Sequence, residues 1–188
     1  MDPLSDALRQ ITAALDLIGI RYAIGGSLAS SARSVWRGTN DIDVIAAIRP
    51  DQADVLAETL GPQWYADPEA MRAAIGRGRS FNLILIKSAQ KVDIFPVTSA
   101  FHRTQLQRAT TMSIGEGRVP CAVTTAEDIL LAKLRWYADG GGVSDRQWND
   151  ICGIVAANTE LDWEYLADWA ARLEVQALLD RARTDARE

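Results

Sequence analysis

Residues 22–48 read YAIGGSLASSARSVWRGTNDIDVIAAI and contain two apolar segments with polar residues between them. The first apolar segment leads into Gly25-Gly26-Ser27, and the second opens with Asp41 and Asp43. Side chains alternate faces along a strand, so the two aspartates point the same way. Neighbouring carboxylates repel each other, and a divalent cation between them removes the repulsion. Oxygen ligands without His or Cys favour Mg²⁺ or Mn²⁺, which we predict here.

A third carboxylate fits the same site. Residues 91–95 read KVDIF, and alternation places Asp93 on one face of this strand with Lys91 and Phe95. An unpaired charge in such an apolar strand is costly. If this strand lies beside the one that carries Asp41 and Asp43, the three aspartates can hold two metal ions about 4 Å apart. We predict all three as metal ligands and catalytic residues, with Asp93 accepting a proton from the nucleophile.

The glycines supply a phosphate site. Gly25 and Gly26 allow the backbone to approach a phosphate closely, and the helix that follows offers free N–H groups at its N-terminus. Ser27 is placed to cap that helix and to donate its hydroxyl to a phosphate oxygen. These residues predict a phosphate-binding site at the start of the helix.

The composition and charge are those of a globular protein and not of one that coats duplex nucleic acid. The 188 residues are 48% hydrophobic and 24% charged, as in globular proteins with a core. We expect a cytoplasmic protein, because no signal peptide or membrane span is visible and the two cysteines lie far apart in apolar segments. The net charge of −5 disfavours a wide contact with duplex nucleic acid.

The pattern of apolar residues changes after residue 124. Before this point, short strand-like runs alternate with helical ones, and glycine-rich turns predict two hairpins. After it, the spacing is helical. Thr124 with Glu127, the segment SDRQ from Ser144, and Asp162 are predicted helix caps. We therefore predict two domains, residues 1–124 and 125–188.

The motifs together resemble the nucleotidyltransferase superfamily typified by DNA polymerase beta. Its pattern is Gly-Gly/Ser, a spacer, Asp-apolar-Asp/Glu-apolar, and a third Asp on a later strand. Here Gly26-Ser27 is followed after thirteen residues by Asp41-Ile42-Asp43-Val44, and Asp93 matches the third acidic position. The resemblance implies an α+β fold: a nucleotidyltransferase core with a mixed sheet flanked by helices over residues 1–124, then a small C-terminal helical bundle.

Within this superfamily, the sequence is similar to the AbiEii-like branch, which includes toxins of type IV toxin–antitoxin pairs. Residues 37–43, RGTNDID, match the Arg-x-Thr/Ser-x-Asp-Ile-Asp motif of that branch, and Lys133, Arg146 and Asp150 stand at comparable places. The resemblance suggests that Arg37 and Lys133 contact the nucleotide. The chain departs from the branch in its shorter C-terminal half.

The activity implied by the resemblance is transfer of a nucleoside monophosphate from a nucleoside triphosphate (NTP), such as ATP, to a macromolecule, with Mg²⁺ and release of pyrophosphate. RNA, including tRNA 3′ ends, and protein side chains are the implied acceptors, and an antitoxin is the implied partner. Two alternatives stay open: a nucleotide- or partner-binding module without catalysis, and a small-molecule enzyme of the aminoglycoside nucleotidyltransferase kind.

Several polar residues also have purely structural interpretations. Arg146 and Asp150 stand at i,i+4 spacing and can stabilise their own helix, and Lys133 can extend from the edge of a core. The arginines of residues 72–79 fit either a solvated loop or a wall of the acceptor site.

Overall fold

The computed structural model describes residues 2–33 and 41–186. The helices of this part are α1 (Pro3–Ile18), α2 (Gly26–Arg33), α3 (Ala53–Leu60), α4 (Pro68–Gly76), α5 (Ala100–Arg108), α6 (Ala126–Asp139), α7 (Asp145–Ala157), α8 (Trp163–Arg172) and α9 (Gln176–Asp185). The strands are β1 (Tyr22–Ile24), β2 (Ile42–Ala46), β3 (Trp64–Tyr65), β4 (Phe81–Leu85), β5 (Gln90–Pro96), β6 (Thr110–Ile114) and β7 (Val119–Val123). Single 3₁₀ turns lie at Pro50–Gln52 and Ile86–Ser88.

The seven strands form one mixed sheet in the order β3-β4-β5-β2-β1-β7-β6. The pairs β2/β5 and β1/β7 are parallel, and the remaining neighbours are antiparallel. Both predicted hairpins are present as β4/β5 and β6/β7. The predicted α+β class, with a mixed sheet and a helical C-terminal part, is confirmed.

The centre of the sheet is apolar on one face. Ile42 and Val44 of β2 and Val92 and Ile94 of β5 are completely buried, and the residues between them, Asp43 and Asp93, point to the opposite face. This alternation fixes the side of the sheet on which the carboxylates stand.

Helix α1 begins and ends as the sequence indicates. The Asp2 carboxylate accepts a hydrogen bond from the backbone N–H of Ser5 at 2.8 Å, and Pro3 opens the helix. Gly19 ends it with a φ of 72°, a conformation that glycine adopts without strain. The helix packs against β5, β7 and α3, with Leu8 and Ile11 fully buried.

The described residues divide into two compact units. The first comprises residues 2–28 and 41–124 and contains the sheet. The second comprises residues 29–33 and 125–186 and contains α6 to α9. Among residues 2–33 and 41–186, no helix has both the length and the apolar character that crossing a bilayer requires.

The helix caps of the second unit show how local chemistry sets helix ends. Ser144 accepts from the N–H of Gln147, and Asp162 accepts from the N–H of Tyr165, which confirms both predicted caps. The prediction of Thr124 as a cap was wrong by one residue. Thr125 caps α6 through the N–H of Asp128, while Thr124 donates its hydroxyl hydrogen bond to the carbonyl of Ile24.

Other local predictions also differ from the structure. Helix α2 begins at Gly26, so Ser27 lies within its first turn and is not the cap. Two elements were not predicted from the sequence: β3, which has two residues, and α5, whose apolar periodicity is weak. Cys121 is buried, Cys152 is partly exposed, and neither forms a disulfide.

Replacement of a fully buried residue of β5 tests whether the apolar face of β2 and β5 forms the core of the sheet. We expect Ile94→Ala to lower the free energy of unfolding by about 2–5 kcal/mol, because the side chain is fully buried and its loss leaves a cavity. The matched control is Ile86→Ala, at a side chain that is 59% exposed, for which we expect a change within about 0.5 kcal/mol. Urea unfolding followed by circular dichroism measures both. Equal effects of the two substitutions would contradict the assigned core.

Candidate active site

The site centres on two carboxylates that the backbone holds side by side. Asp43 on β2 and Asp93 on β5 are direct partners in the parallel register of these strands. Neighbouring strands lie about 4.8 Å apart, and paired residues point to the same face. Both side chains are only partly exposed. The sheet therefore places the second and third predicted aspartates together, although fifty positions separate them in the sequence.

Lys91 supplies a positive charge at this position. Its ammonium Nζ lies 2.7 Å from Oδ2 of Asp93, two residues further along the same face of β5. The side chain of Asp93 is 16% exposed and that of Lys91 is 42% exposed. The hydrogen bond that Lys91 donates to Asp93 raises the pKa of the ammonium group above its ordinary value, against a smaller opposing effect of burial.

Asp41 belongs to the same cluster. It immediately precedes β2, and continuing the β2/β5 register by one residue places it opposite Lys91. The negative charges of Asp41 and Asp43 both contribute to the raised pKa of Lys91. The ammonium therefore lies within the field of all three predicted carboxylates. We refer to Asp41, Asp43, Asp93 and Lys91 as the carboxylate cluster.

Strand alternation in the sequence places Lys91 on the face of Asp93 but indicates no function for it. The signal that could have identified Lys91 is its spacing of two residues from Asp93 within one strand, which places both side chains on the same face. Asn82 was missed entirely. It is the partner of Asp93 on the other neighbouring strand, β4, and is exposed. A row of Asp43, Asp93 and Asn82 therefore crosses three strands on one face, and only the strand register shows it.

Gly26 brings the backbone against the cluster. A Cβ atom at Gly26 would lie 1.7 Å from Oδ2 of Asp43, and the residue has a φ of 57°. The backbone N–H of Gly25 donates to the carbonyl oxygen of Asp43 at 2.9 Å. The Asp43 carboxylate thus lies against the start of α2, where the free N–H groups and the helix dipole favour negative charge. Ser27 is exposed on the first turn of this helix.

The donor chemistry of the cluster fits a magnesium or manganese ion, because the acidic groups offer hard oxygen ligands. Among residues 2–33 and 41–186, however, no three His, Cys, Asp or Glu side chains are arranged to hold a metal ion together. At Asp93, the ammonium of Lys91 provides the compensating charge. The three-carboxylate metal site stays a prediction.

The other residues predicted to contact substrate either have partners within their own unit or lie outside the described residues. Lys133 is in the second unit, where its Nζ lies 3.3 Å from Oδ2 of Asp150, and both side chains are less than a quarter exposed. Asp150 is therefore bonded to a neighbouring helix, beyond the predicted pairing with Arg146 within α7. Arg72 forms an ion pair with Asp54. Arg37 lies outside the described residues.

Comparisons with solved structures show which proteins share this architecture. The antibiotic-resistance factor ANT(2'')-Ia in solution matches with a TM-score of 0.54 and 21% identity, over 98% of this chain and 100% of that one. A crystal structure of ANT(2")-Ia with adenylyl-2"-tobramycin matches with a TM-score of 0.54 and 14% identity, over 90% and 95% of the two chains. An antigenic nucleotidyltransferase-like protein from Paracoccidioides brasiliensis matches with a TM-score of 0.57 and 20% identity, over 96% and 92%.

This chain has the nucleotidyltransferase fold. The prediction of that fold is confirmed, while the AbiEii-like branch stays a prediction because none of these structures represents it. No protein-family profile matches the sequence. No curated protein sequence matches it significantly.

Paired glycine substitutions test the geometry at the start of α2. We expect Gly26→Ala to destabilise the protein by at least about 1–3 kcal/mol, since φ is positive and the new methyl group would overlap the Asp43 carboxylate. The adjacent Gly25→Ala is the control: its Cβ would meet only Cδ1 of Ile45, at 3.8 Å, an ordinary contact. Thermal and urea unfolding measure the difference. A Gly26→Ala protein as stable as the Gly25→Ala protein would show that Asp43 is not held against this turn.

Proposed function

We propose that this protein is a metal-dependent nucleotidyltransferase that transfers a nucleoside monophosphate from an NTP to a hydroxyl group. The observation that carries the proposal is the in-register pairing of Asp43 and Asp93, with the Asp43 carboxylate against the glycine turn that opens α2. Carboxylates for metal ions and a helix N-terminus for phosphate are thereby adjacent. The shared fold of ANT(2")-Ia supports the same reaction class.

In the proposed reaction, the acceptor oxygen attacks the α-phosphorus of the NTP. The new P–O bond forms as the bond to the leaving pyrophosphate breaks, and Asp93 takes the proton of the acceptor hydroxyl. Asp41, Asp43 and Asp93 would hold Mg²⁺ or Mn²⁺. When bound, such an ion neutralises charge on the phosphates and lowers the pKa of the attacking hydroxyl.

The turn at Gly25 and Gly26 and the hydroxyl of Ser27 would bind the β- and γ-phosphates. Backbone N–H groups at a helix N-terminus are preoriented donors, so they stabilise the charge that develops on pyrophosphate without reorganising. The nucleotide contacts proposed for Arg37 and Lys133 rest on the sequence resemblance alone.

The acceptor has two candidate classes. The resemblance to AbiEii-like proteins favours a macromolecule, either RNA such as tRNA or a protein side chain, and with it an antitoxin partner. A small-molecule acceptor is favoured by the structural match to ANT(2")-Ia, which covers 90% of this chain and 95% of that one. The crystal structure of that protein contains adenylyl-2"-tobramycin. The net charge of −5 also favours a cationic small molecule over a polyanion.

The test measures transfer of label from each of the four α-³²P-labelled NTPs with Mg²⁺ or Mn²⁺. Total RNA, a cell lysate and a panel of aminoglycosides serve as separate acceptors. Label in RNA or in a protein band supports the macromolecular acceptor, and label in a small product supports the small-molecule acceptor. Nucleotide binding without transfer to any acceptor would contradict the proposed activity and favour a binding module.

Substitution of the aspartates tests the site directly. We expect Asp43→Asn and Asp93→Asn each to lower the rate of transfer by at least about 10²-fold, because charge stabilisation and proton acceptance each contribute factors of this size. Asp51→Asn is the control. Asp51 is an exposed aspartate of the first unit that pairs with Arg49, and a surface pair of this kind contributes little to stability. Activity that survives in Asp43→Asn would contradict the assignment.

A further inference from the structure

We propose that Asn82 binds the acceptor beside Asp93, and that the acceptor is a sugar, in which the carbon next to the attacking hydroxyl carries a second hydroxyl or an amino group. The inference rests on the proposed function, because it takes the attacking oxygen to lie at Asp93. It narrows the class of acceptor and makes Asn82 a specificity-determining residue.

The strand register places Asn82 directly beside Asp93. Asp93 has a partner on each neighbouring strand, Asp43 on β2 and Asn82 on β4. Partners in an antiparallel pair point to the same face, with Cβ atoms about 4.5–5.5 Å apart. Aspartate and asparagine side chains also have the same length. Because Asn82 is exposed and Asp93 is partly exposed, one ligand can reach both side chains from solvent.

The glycine turn indicates the side from which the acceptor approaches. A Cβ atom at Gly26 would lie 1.7 Å from Oδ2 of Asp43, and the N–H of Gly25 donates to the carbonyl oxygen of Asp43, so the turn lies on the β2 side of Asp93. Strand β5 stands between β2 and β4 in the sheet. In phosphoryl transfer, the attacking and leaving oxygens lie roughly in line, on opposite sides of the phosphorus. With the pyrophosphate at the turn, the acceptor therefore enters from the β4 side, over Asn82.

The chemistry of the pair favours a sugar. Asp93 is the proposed acceptor of the proton from the attacking hydroxyl. The uncharged amide of Asn82 has two N–H donors and one acceptor oxygen, so it can bind either a hydroxyl or an amino group next to it. Adjacent carbons of a sugar carry such neighbouring groups, whereas a serine, threonine or tyrosine side chain has a single hydroxyl. The ribose at an RNA 3′ end and an aminoglycoside both meet this requirement, and a protein side chain does not.

The experiment measures steady-state transfer from the four α-³²P-labelled NTPs to two acceptors in separate arms, tobramycin and an RNA oligonucleotide with a 3′-terminal ribose. We expect Asn82→Ala to lower kcat/KM for the labelled acceptor at least about fivefold, because one hydrogen bond to it is lost. The KM for the NTP should change by less than about twofold, since the proposed phosphate site lies on the other side of Asp93.

The matched control is Asn149→Ala, at an exposed asparagine of α7, which should retain wild-type values. Circular dichroism establishes that each variant is folded, and Asn82→Ser replaces Asn82→Ala if the latter does not fold. In the RNA arm, the same oligonucleotide with a 3′-terminal 2′-deoxyribose lacks the neighbouring hydroxyl. We expect the wild type to discriminate against it at least about fivefold and Asn82→Ala to lose this discrimination.

The outcomes separate this inference from the proposed function. Label confined to a protein band of a cell lysate would overturn the inference and leave nucleotidyl transfer intact. Transfer to tobramycin or RNA that is equally efficient in the wild type and Asn82→Ala would overturn the role of Asn82. A KM for the NTP that rises as much as the KM for the acceptor would also overturn it, since the whole site would then be disturbed. Absence of transfer to every acceptor would overturn both proposals.

Discussion

The site depends on the repulsion between two carboxylates that the backbone register forces together. Asp43 and Asp93 are partners on adjacent parallel strands, so neither can move away without disturbing the centre of the sheet. Like charges at this separation require compensation. In this structure, the compensation comes from Lys91 on the same strand and from the start of α2, against which the Asp43 carboxylate lies. A glycine at position 26 is a consequence of this geometry, since any side chain there would occupy the place of the carboxylate.

The same two strands also carry the core, and this combination makes the site rigid. Their alternate residues, among them Val44 and Ile94, are fully buried on the opposite face. A shift of register by one residue would expose the apolar set and bury the aspartates, which hydrophobic burial strongly opposes. The energy that stabilises the sheet therefore also fixes the spacing of the acidic groups. A rigid element of this kind suits phosphoryl transfer, in which positioning and fixed charge contribute most of the rate.

Several residues that resemble substrate ligands in the sequence have structural partners in the fold. Lys133 bonds to Asp150 within the second unit, and Arg72 pairs with Asp54 within the first. Pairing does not remove a residue from function, because an ion pair also positions a side chain. It does show that an ion pair within the protein can explain a lysine or arginine at such a sequence position, without any contact with a phosphate. The carboxylate cluster gives the converse case. The sequence indicates no function for Lys91, but its ammonium contacts Asp93 and lies in the electrostatic field of Asp41 and Asp43.

The sequence by itself determined the elements other than β3 and α5, and the faces on which their polar residues stand. Apolar runs predicted the strands of Asp43 and Asp93, the glycine turn predicted the start of α2, and capping residues predicted the starts of α7 and α8, because all of these signals act within a few residues. The tertiary structure alone decided the parallel register, the opposition of Asn82 to Asp93 and the contact of Lys91 with the cluster. The connection between β2 and β5 spans residues 47–89, and no local rule fixes the alignment of two strands so far apart. That alignment follows from the packing of the whole sheet and its helices.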